Sequence, residues 1–228
     1  MQRFYDIIFS GLALICLLPI FIPIVLILKF TGEGEIFYLQ ERIGKDLKPF
    51  NVIKFVTMRK GSALIGTGTL TIKNDPRVLP FGKLLRKTKI NELPQLINIL
   101  LGDMSIVGPR PLTKSSLNLY NVEVVNQIKK IRPGLSGVGS IVFRGEEDLL
   151  PEERKSLDFY THTIAPYKGS LETWYVKNAT LKNYFKIIII TLVIIVLPKS
   201  SIVWIYLDDI PPPPDDLILP LNYPNKKK

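Results

Sequence analysis

With 228 residues the chain can bury one good core, and setting aside about 25 for an apolar N-terminal run leaves one medium-sized domain. The formal net charge of +10, from 30 Lys and Arg against 20 Asp and Glu, favours anionic partners: phospholipid head groups, nucleotides, lipid phosphates or nucleic acid. The single Cys16 and the single His162 exclude an internal disulfide, a cysteine metal cluster and a multi-histidine site, an economy that suits a reducing, cytoplasm-facing domain.

Residues 7–28 are almost wholly apolar, and as a helix at ~1.5 Å per residue they reach ~33 Å, enough to cross a hydrocarbon layer. No A-x-A-like site precedes Lys29, which argues against a cleaved leader. Pro19 and Pro23 each remove a helical N–H and clash with the preceding turn, so a kink is expected. Composition leaves two topologies open, a kinked crossing and a re-entrant hairpin that enters and leaves on one face. The positive excess that follows (Lys29, Arg42, Lys45, Lys48, Lys54, Arg59, Lys60) places the next domain in the cytoplasm.

Residues 35–40 and 49–55 read as short strands around a turn at Gly44, a predicted hairpin. The Gly- and Thr-rich stretch 61–74 reads as a surface loop, closed by a turn at Asp75-Pro76-Arg77. Apolar residues over 81–101 recur at helical spacing and predict two helices meeting near Asn91. One amphipathic helix is expected over 117–131, then a Gly-punctuated segment from Arg132 to Ser140 and an acidic, helix-prone stretch over 146–160. The second apolar run, 187–197, is short for a span and, beside Tyr184, Phe185, Lys186 and Trp204, reads as interfacial or buried. Pro211 to Pro214 and the terminal lysines predict an extended, poorly ordered tail.

The densest chemistry lies where Arg86, Lys87 and Lys89 crowd a predicted helix start, with Asn91 as its cap and Pro94 in its first turn. Free N–H groups and the positive helix end would then face a bound phosphate, and Glu92 could help hold a cation that bridges phosphates. A well-capped helix with solvated lysines is the plainer alternative. In Gly108-Pro109-Arg110-Pro111 two prolines fix the backbone around a guanidinium suited to bidentate phosphate binding, or to pairing with a carboxylate such as Asp103. Arg132, Arg144 and the glycines between them could wrap a phosphate or ribose. His162 reads as a structural or surface residue.

The run from Lys89 to Leu112, with Gln40-Glu41-Arg42-Ile43-Gly44, Lys54-Phe55, Met58, Asp75-Pro76-Arg77 and Arg132-Pro133-Gly134 in the same order, strongly resembles the small monotopic phosphoglycosyl transferases among bacterial sugar transferases. The resemblance covers nearly all of the chain to about Pro198. It implies a Mg2+-dependent enzyme that moves a sugar 1-phosphate from a UDP-sugar to undecaprenyl phosphate and releases UMP, the first membrane step of polysaccharide or glycoconjugate assembly. It also implies a re-entrant helix bent at a Ser-Pro pair, here Leu18-Pro19, and a catalytic Asp-Glu dyad, here Asn91-Glu92. An amide is not a usable nucleophile. Glu92 or Asp103 as nucleophile, direct transfer between substrates, and a non-catalytic scaffold all follow as alternatives.

The expected architecture is mixed α/β and mainly helical: a re-entrant membrane helix over 1–30 with its bend at Pro19, a small cytoplasmic catalytic domain with interfacial amphipathic helices over 31–198, and a C-terminal extension over 199–228. Expected catalytic positions are Glu92, Asn91 and Asp103, with Glu92 also the metal ligand. Arg42, Lys54, Arg77, Arg86, Lys89, Arg110, Arg132 and Arg144 are the expected substrate and phosphate ligands. The expected partners are a UDP-sugar, a polyprenyl phosphate, membrane lipids of the bacterial inner membrane and a second copy of the chain, with nucleic acid excluded for want of an aromatic-basic motif.

Overall fold

The computed structural model describes residues 1–65, 71, 75–149, 158–198 and 200–224. It is mainly helical with two small sheets. Helix α1 (Gln2–Phe30) runs as one element through Pro19 and Pro23, and among the described residues it is the one helix long and apolar enough to cross a membrane. Strands β1 (Phe37–Ile43) and β2 (Pro49–Phe55) pair antiparallel from Phe37 opposite Phe55 to Ile43 opposite Pro49, the hairpin expected from the alternation. At its tip Asp46 (φ 56°) and Leu47 (φ 60°) are both left-handed, a conformation that a Leu side chain opposes.

Helices α2 (Pro80–Thr88) and α3 (Gln95–Leu101) flank a 3-10 turn, Ile90–Glu92. The break between them falls where the sequence placed it, but Asn91 does not cap α3. Pro94 holds the N-cap position, and Asn91 lies buried inside the turn. Lys89 at φ 61° ends α2 and turns the chain into that bend. Strand β3 (Ser105–Val107) pairs in parallel with β4 (Gly134–Ser136).

The single helix expected over 117–131 is two: α4 (Lys114–Leu117) and α5 (Val122–Ile128). Asn121 divides them, its side chain accepting the Val124 N–H at 2.8 Å as an N-cap. Helix α6 (Val138–Val142) follows β4, and a π-helical turn, Tyr160–Ile164, leads into α7 (Ala165–Lys177). Of the acidic stretch, Glu146–Leu149 forms a 3-10 turn and residues 150–157 lie outside the described residues.

Helix α8 (Leu181–Val196) contains the second apolar run and is half buried, with Tyr184, Ile187, Ile190 and Ile194 in the largest core. Of the tail expected to be loose, residues 200–224 are instead folded onto that core, and residues 225–228, with the terminal lysines, lie outside the described residues. Helices α9 (Ile202–Tyr206) and α10 (Asp215–Ile218) bury Val203, Leu207, Leu217 and Leu221, and the Trp204 indole donates to Leu221 O at 3.2 Å. Burying four aliphatic side chains in one cluster opposes fraying that the proline run alone would permit.

Helix α1 is docked along its whole length. Asp6, 2% exposed, accepts from the Ser105 hydroxyl (3.0 Å), the Ile106 N–H (2.9 Å) and the Tyr184 hydroxyl (2.9 Å). Arg3 donates to the carbonyls of Ile99 and Leu100 at the C-terminal end of α3, where unpaired carbonyls favour a cation. Further along, Ala13, Leu14 and Leu17 pack on Leu96, Ile99 and Met104, and Ile24 and Leu28 pack on Phe55 and Leu85. The opposite face leaves Phe4, Leu12, Ile15, Ile22, Leu26 and Phe30 exposed, as α8 leaves Ile189, Leu192 and Val196.

Candidate active site

The hairpin, the 3-10 turn and the loop after β3 converge on Glu92. Its Oε1 accepts from Arg110 Nη2 at 2.8 Å and lies 3.7 Å from Lys54 Nζ. Burial alone would push the Glu92 carboxyl up, but Arg110, Lys54 and Lys89 outweigh it and hold the carboxyl well below the usual carboxylate range. Burial, with the nearby Arg42, Arg110 and Arg86, pulls the Lys54 ammonium down to about 7 despite its pairing with Glu92.

Arg42 projects from β1 and donates to Gln40 Oε1 (2.6 Å) and Pro111 O (3.0 Å). Burial and the Arg110 charge lower its guanidinium to about 10. Arg42, Lys54, Lys89 and Arg110 all act on the Glu92 carboxylate, and Arg86 stands near Lys54. A crevice lined by Arg42, Val52, Lys54, Gln95, Arg110 and Pro111 opens beside them. Such an excess of positive charge, with donors fixed by strand and proline geometry, suits a polyanion such as a diphosphate.

Asn91 is 7% exposed, and its Oδ1 has no hydrogen-bond partner among the described residues. It precedes Glu92 in the same 3-10 turn. No group of three His, Cys, Asp or Glu able to hold a metal occurs among the described residues. A donor set of one carboxylate and one amide oxygen fits Mg2+, which keeps several waters and takes much of its coordination from substrate phosphates.

The other expected site residues lie apart. Asp103 follows α3 at its far end, where Asp103 Oδ2 accepts from Asn98 Nδ2 at 3.4 Å, and it is Glu92 that pairs with Arg110. Arg77 is bound to Asp75 (2.6 Å) and to the carbonyls of Ser62 and Ile65, so it closes its own loop. Arg132 donates to Gly102 O at 2.7 Å, and Arg144 sits half-buried after α6. His162 is exposed, 3.4 Å from Asp158. Sequence reasoning carried Gln40 and Gln95 within its motifs without giving either a role, and passed over Glu172.

The bacterial sugar transferase model matches residues 1–198. The chain belongs to that family. It is 33% identical over 214 residues to the exopolysaccharide production protein ExoY of Rhizobium meliloti (strain 1021), covering 88% of this chain and 87% of that protein. It is 38% identical over 163 residues to the UDP-glucose:undecaprenyl-phosphate glucose-1-phosphate transferase of Klebsiella pneumoniae, covering 69% of this chain and 34% of that longer protein. Similarity to the Salmonella typhimurium (strain LT2) undecaprenyl-phosphate galactose phosphotransferase is 32% over 198 residues, 80% of this chain and 38% of that protein.

Proposed function

We propose that this sugar transferase moves a sugar 1-phosphate from a UDP-sugar to undecaprenyl phosphate, giving the polyprenyl-diphosphate sugar and UMP and so initiating polysaccharide assembly. What supports it most is the cationic imbalance around Glu92, whose carboxyl is held low by Arg110, Lys54 and Lys89 beside a crevice lined by Arg42, Lys54 and Arg110. A donor diphosphate fits that imbalance, and relatives are named for this transfer. Arg110 and Arg42 grip the diphosphate from the proline-fixed loop and the hairpin, while Lys54 faces the leaving phosphate. Glu92, with the Asn91 amide oxygen, would hold Mg2+, whose chemistry when bound is to neutralise phosphate charge. Because the Glu92 charge is committed to Arg110 and Lys54, it orients rather than attacks. An oxygen of the lipid phosphate attacks the sugar-bearing phosphorus, the bond from that phosphorus to the bridging oxygen breaks, and UMP leaves with that oxygen.

The acceptor is met at the membrane face. A helix bound to the domain at Asp6 and at Leu28 enters and leaves on the domain's own side, the cytoplasmic one, and turns its exposed apolar face to lipid. Purified protein, undecaprenyl phosphate, Mg2+ and a panel of UDP-sugars test the proposal by UMP release. Release without a labelled protein intermediate supports direct transfer, and label on Glu92 overturns that step. Binding of UDP and lipid phosphate with no release from any donor would establish a non-catalytic scaffold, the outcome that Asn91 favours.

A further inference from the structure

Glu172 lies in α7, 3% exposed, 62 residues along the chain from Arg110. Its Oε1 accepts the Arg110 backbone N–H at 3.3 Å, and its Oε2 has no hydrogen-bond partner among the described residues. The lysine one turn earlier, Lys168, acts on it through charge but makes no direct bond to it among the described residues. Lys168 pairs with Glu146 at 2.6 Å and lies over the rings of Phe143 and Tyr160. The direct partner of that ammonium is Glu146, and the direct partner of the buried Glu172 carboxyl is the Arg110 N–H.

Its surroundings are shaped to receive it. A Cβ on Gly139 would fall 2.5 Å from Glu172 Oε1, and one on Gly137 would fall 2.1 Å from the Gly108 carbonyl oxygen. Only bare backbone lets the Arg110 loop and the start of α6 close on the carboxyl together. The loop is otherwise tied through its ends: Gly108 N–H donates to Ser136 O (3.0 Å), and Pro109 O accepts from Gly134 N–H (2.8 Å). Pro109 and Pro111 carry no N–H, so between Gly108 and Leu112 the Arg110 amide is the sole backbone donor.

We propose that Glu172 is a positioning residue for the sugar transfer: by taking the one backbone N–H between two prolines it sets the direction of the Arg110 side chain, and hence of the guanidinium that holds Glu92 and the donor diphosphate. Glu172 touches no substrate and acts through Arg110. This rests on the transfer proposed above, and its test separates the two.

UMP release with UDP-glucose and binding of Mg2+-UDP are measured on full-length protein in detergent for Glu172→Met, Glu172→Asp, Glu172→Gln, Arg110→Ala and the Glu172→Met/Arg110→Ala double variant. Glu172→Met removes the acceptor and Glu172→Asp withdraws it, so each weakens UDP binding about tenfold, the effect of one lost hydrogen bond that leaves a buried donor unsatisfied. Glu172→Gln keeps acceptor and shape and stays within about twofold of wild type. The double variant binds UDP no worse than Arg110→Ala alone, because the two residues act as one unit. If all Glu172 variants bind UDP as wild type does, or if the losses multiply in the double variant, the positioning role is overturned. Linked losses in UDP affinity with no UMP release by wild type would keep the positioning role and sink the transfer, and absence of UDP binding by wild type would overturn both.

Discussion

Two junctions of the molecule are each built around a buried carboxylate, and they are solved in opposite ways. At Asp6 the partners are neutral donors from β3 and α8, namely two hydroxyls and an amide. At Glu92 the partners are cations from β2 and the Arg110 loop, with Lys89 close by. Three neutral donors from two elements meet on the buried Asp6 Oδ1 and tie α1 to both, so the Asp6 junction is a joint. Cations from several elements gathered on one carboxylate suit an incoming anion, so the Glu92 junction has the character of a receptor.

The largest expected effect tests the receptor. Glu92→Gln should lower UMP release about a thousandfold while leaving thermal unfolding close to wild type, because it removes charge at the donor diphosphate and little packing. A loss below about tenfold would show that Glu92 serves structure, as Asp6 does. Next comes the joint itself: Asp6→Leu strands the Ser105, Ile106 and Tyr184 donors, for a cost of about 4 kcal/mol in urea unfolding followed by circular dichroism. Substantial loss of UDP binding in a variant that still folds would erase the distinction between the two regions.

A third carboxylate, Glu172, sharpens the contrast through pH. Burial pushes it up to about 7, against an ordinary value of 4.5, with the Arg110 N–H and the Lys168 and Arg110 charges pulling the other way. Between those values the folded chain binds the extra proton. Its contribution to stability is therefore fully present below pH 4.5 and is lost as pH rises through about 7, by about 3 kcal/mol in all. Glu92, held low, has the opposite sign: its contribution is present above 4.5 and is lost only in acid. Glu172→Gln should flatten unfolding free energy between pH 5 and 8, roughly the window of the shift, and a profile unchanged from wild type would remove Glu172 from the account. The smallest effect is at the hairpin tip, where Leu47→Gly relieves a left-handed leucine and should add about 1 kcal/mol. Destabilisation instead would mean that the leucine side chain packs well enough to outweigh its strain.

The hairpin and the break near Asn91 were legible in the sequence because each is encoded locally, by alternation around Gly44 and by basic residues running into Pro94. The division at Asn121 was legible too, in the same capping chemistry, but an apolar period that carried across it hid the signal. Of the site, Arg42, Lys54, Arg86, Lys89, Glu92 and Arg110 stand in motif residues, whereas the pairing of Glu92 with Arg110 depends on how α3 packs against β2 and β3. Glu172 left no local trace: it sits between Leu171 and Thr173 on a helix with little polarity between its faces, and only the parallel pairing of β3 with β4 brings Arg110 to it. The tail misled for the opposite reason, since its prolines are conspicuous while its four core residues are spread over 203–221.

Fastening α1 at both ends has a kinetic consequence. A tethered domain on a loose anchor would sweep a range of heights above the bilayer, and its acceptor would have to be found within that volume. With the helix packed along the domain, the Glu92 site keeps a fixed distance from the helix's exposed apolar face, so an acceptor held in lipid against that face would be found by a search in two dimensions, while the water-soluble donor arrives in three. Turnover should then follow the mole fraction of polyprenyl phosphate in the membrane rather than its bulk concentration.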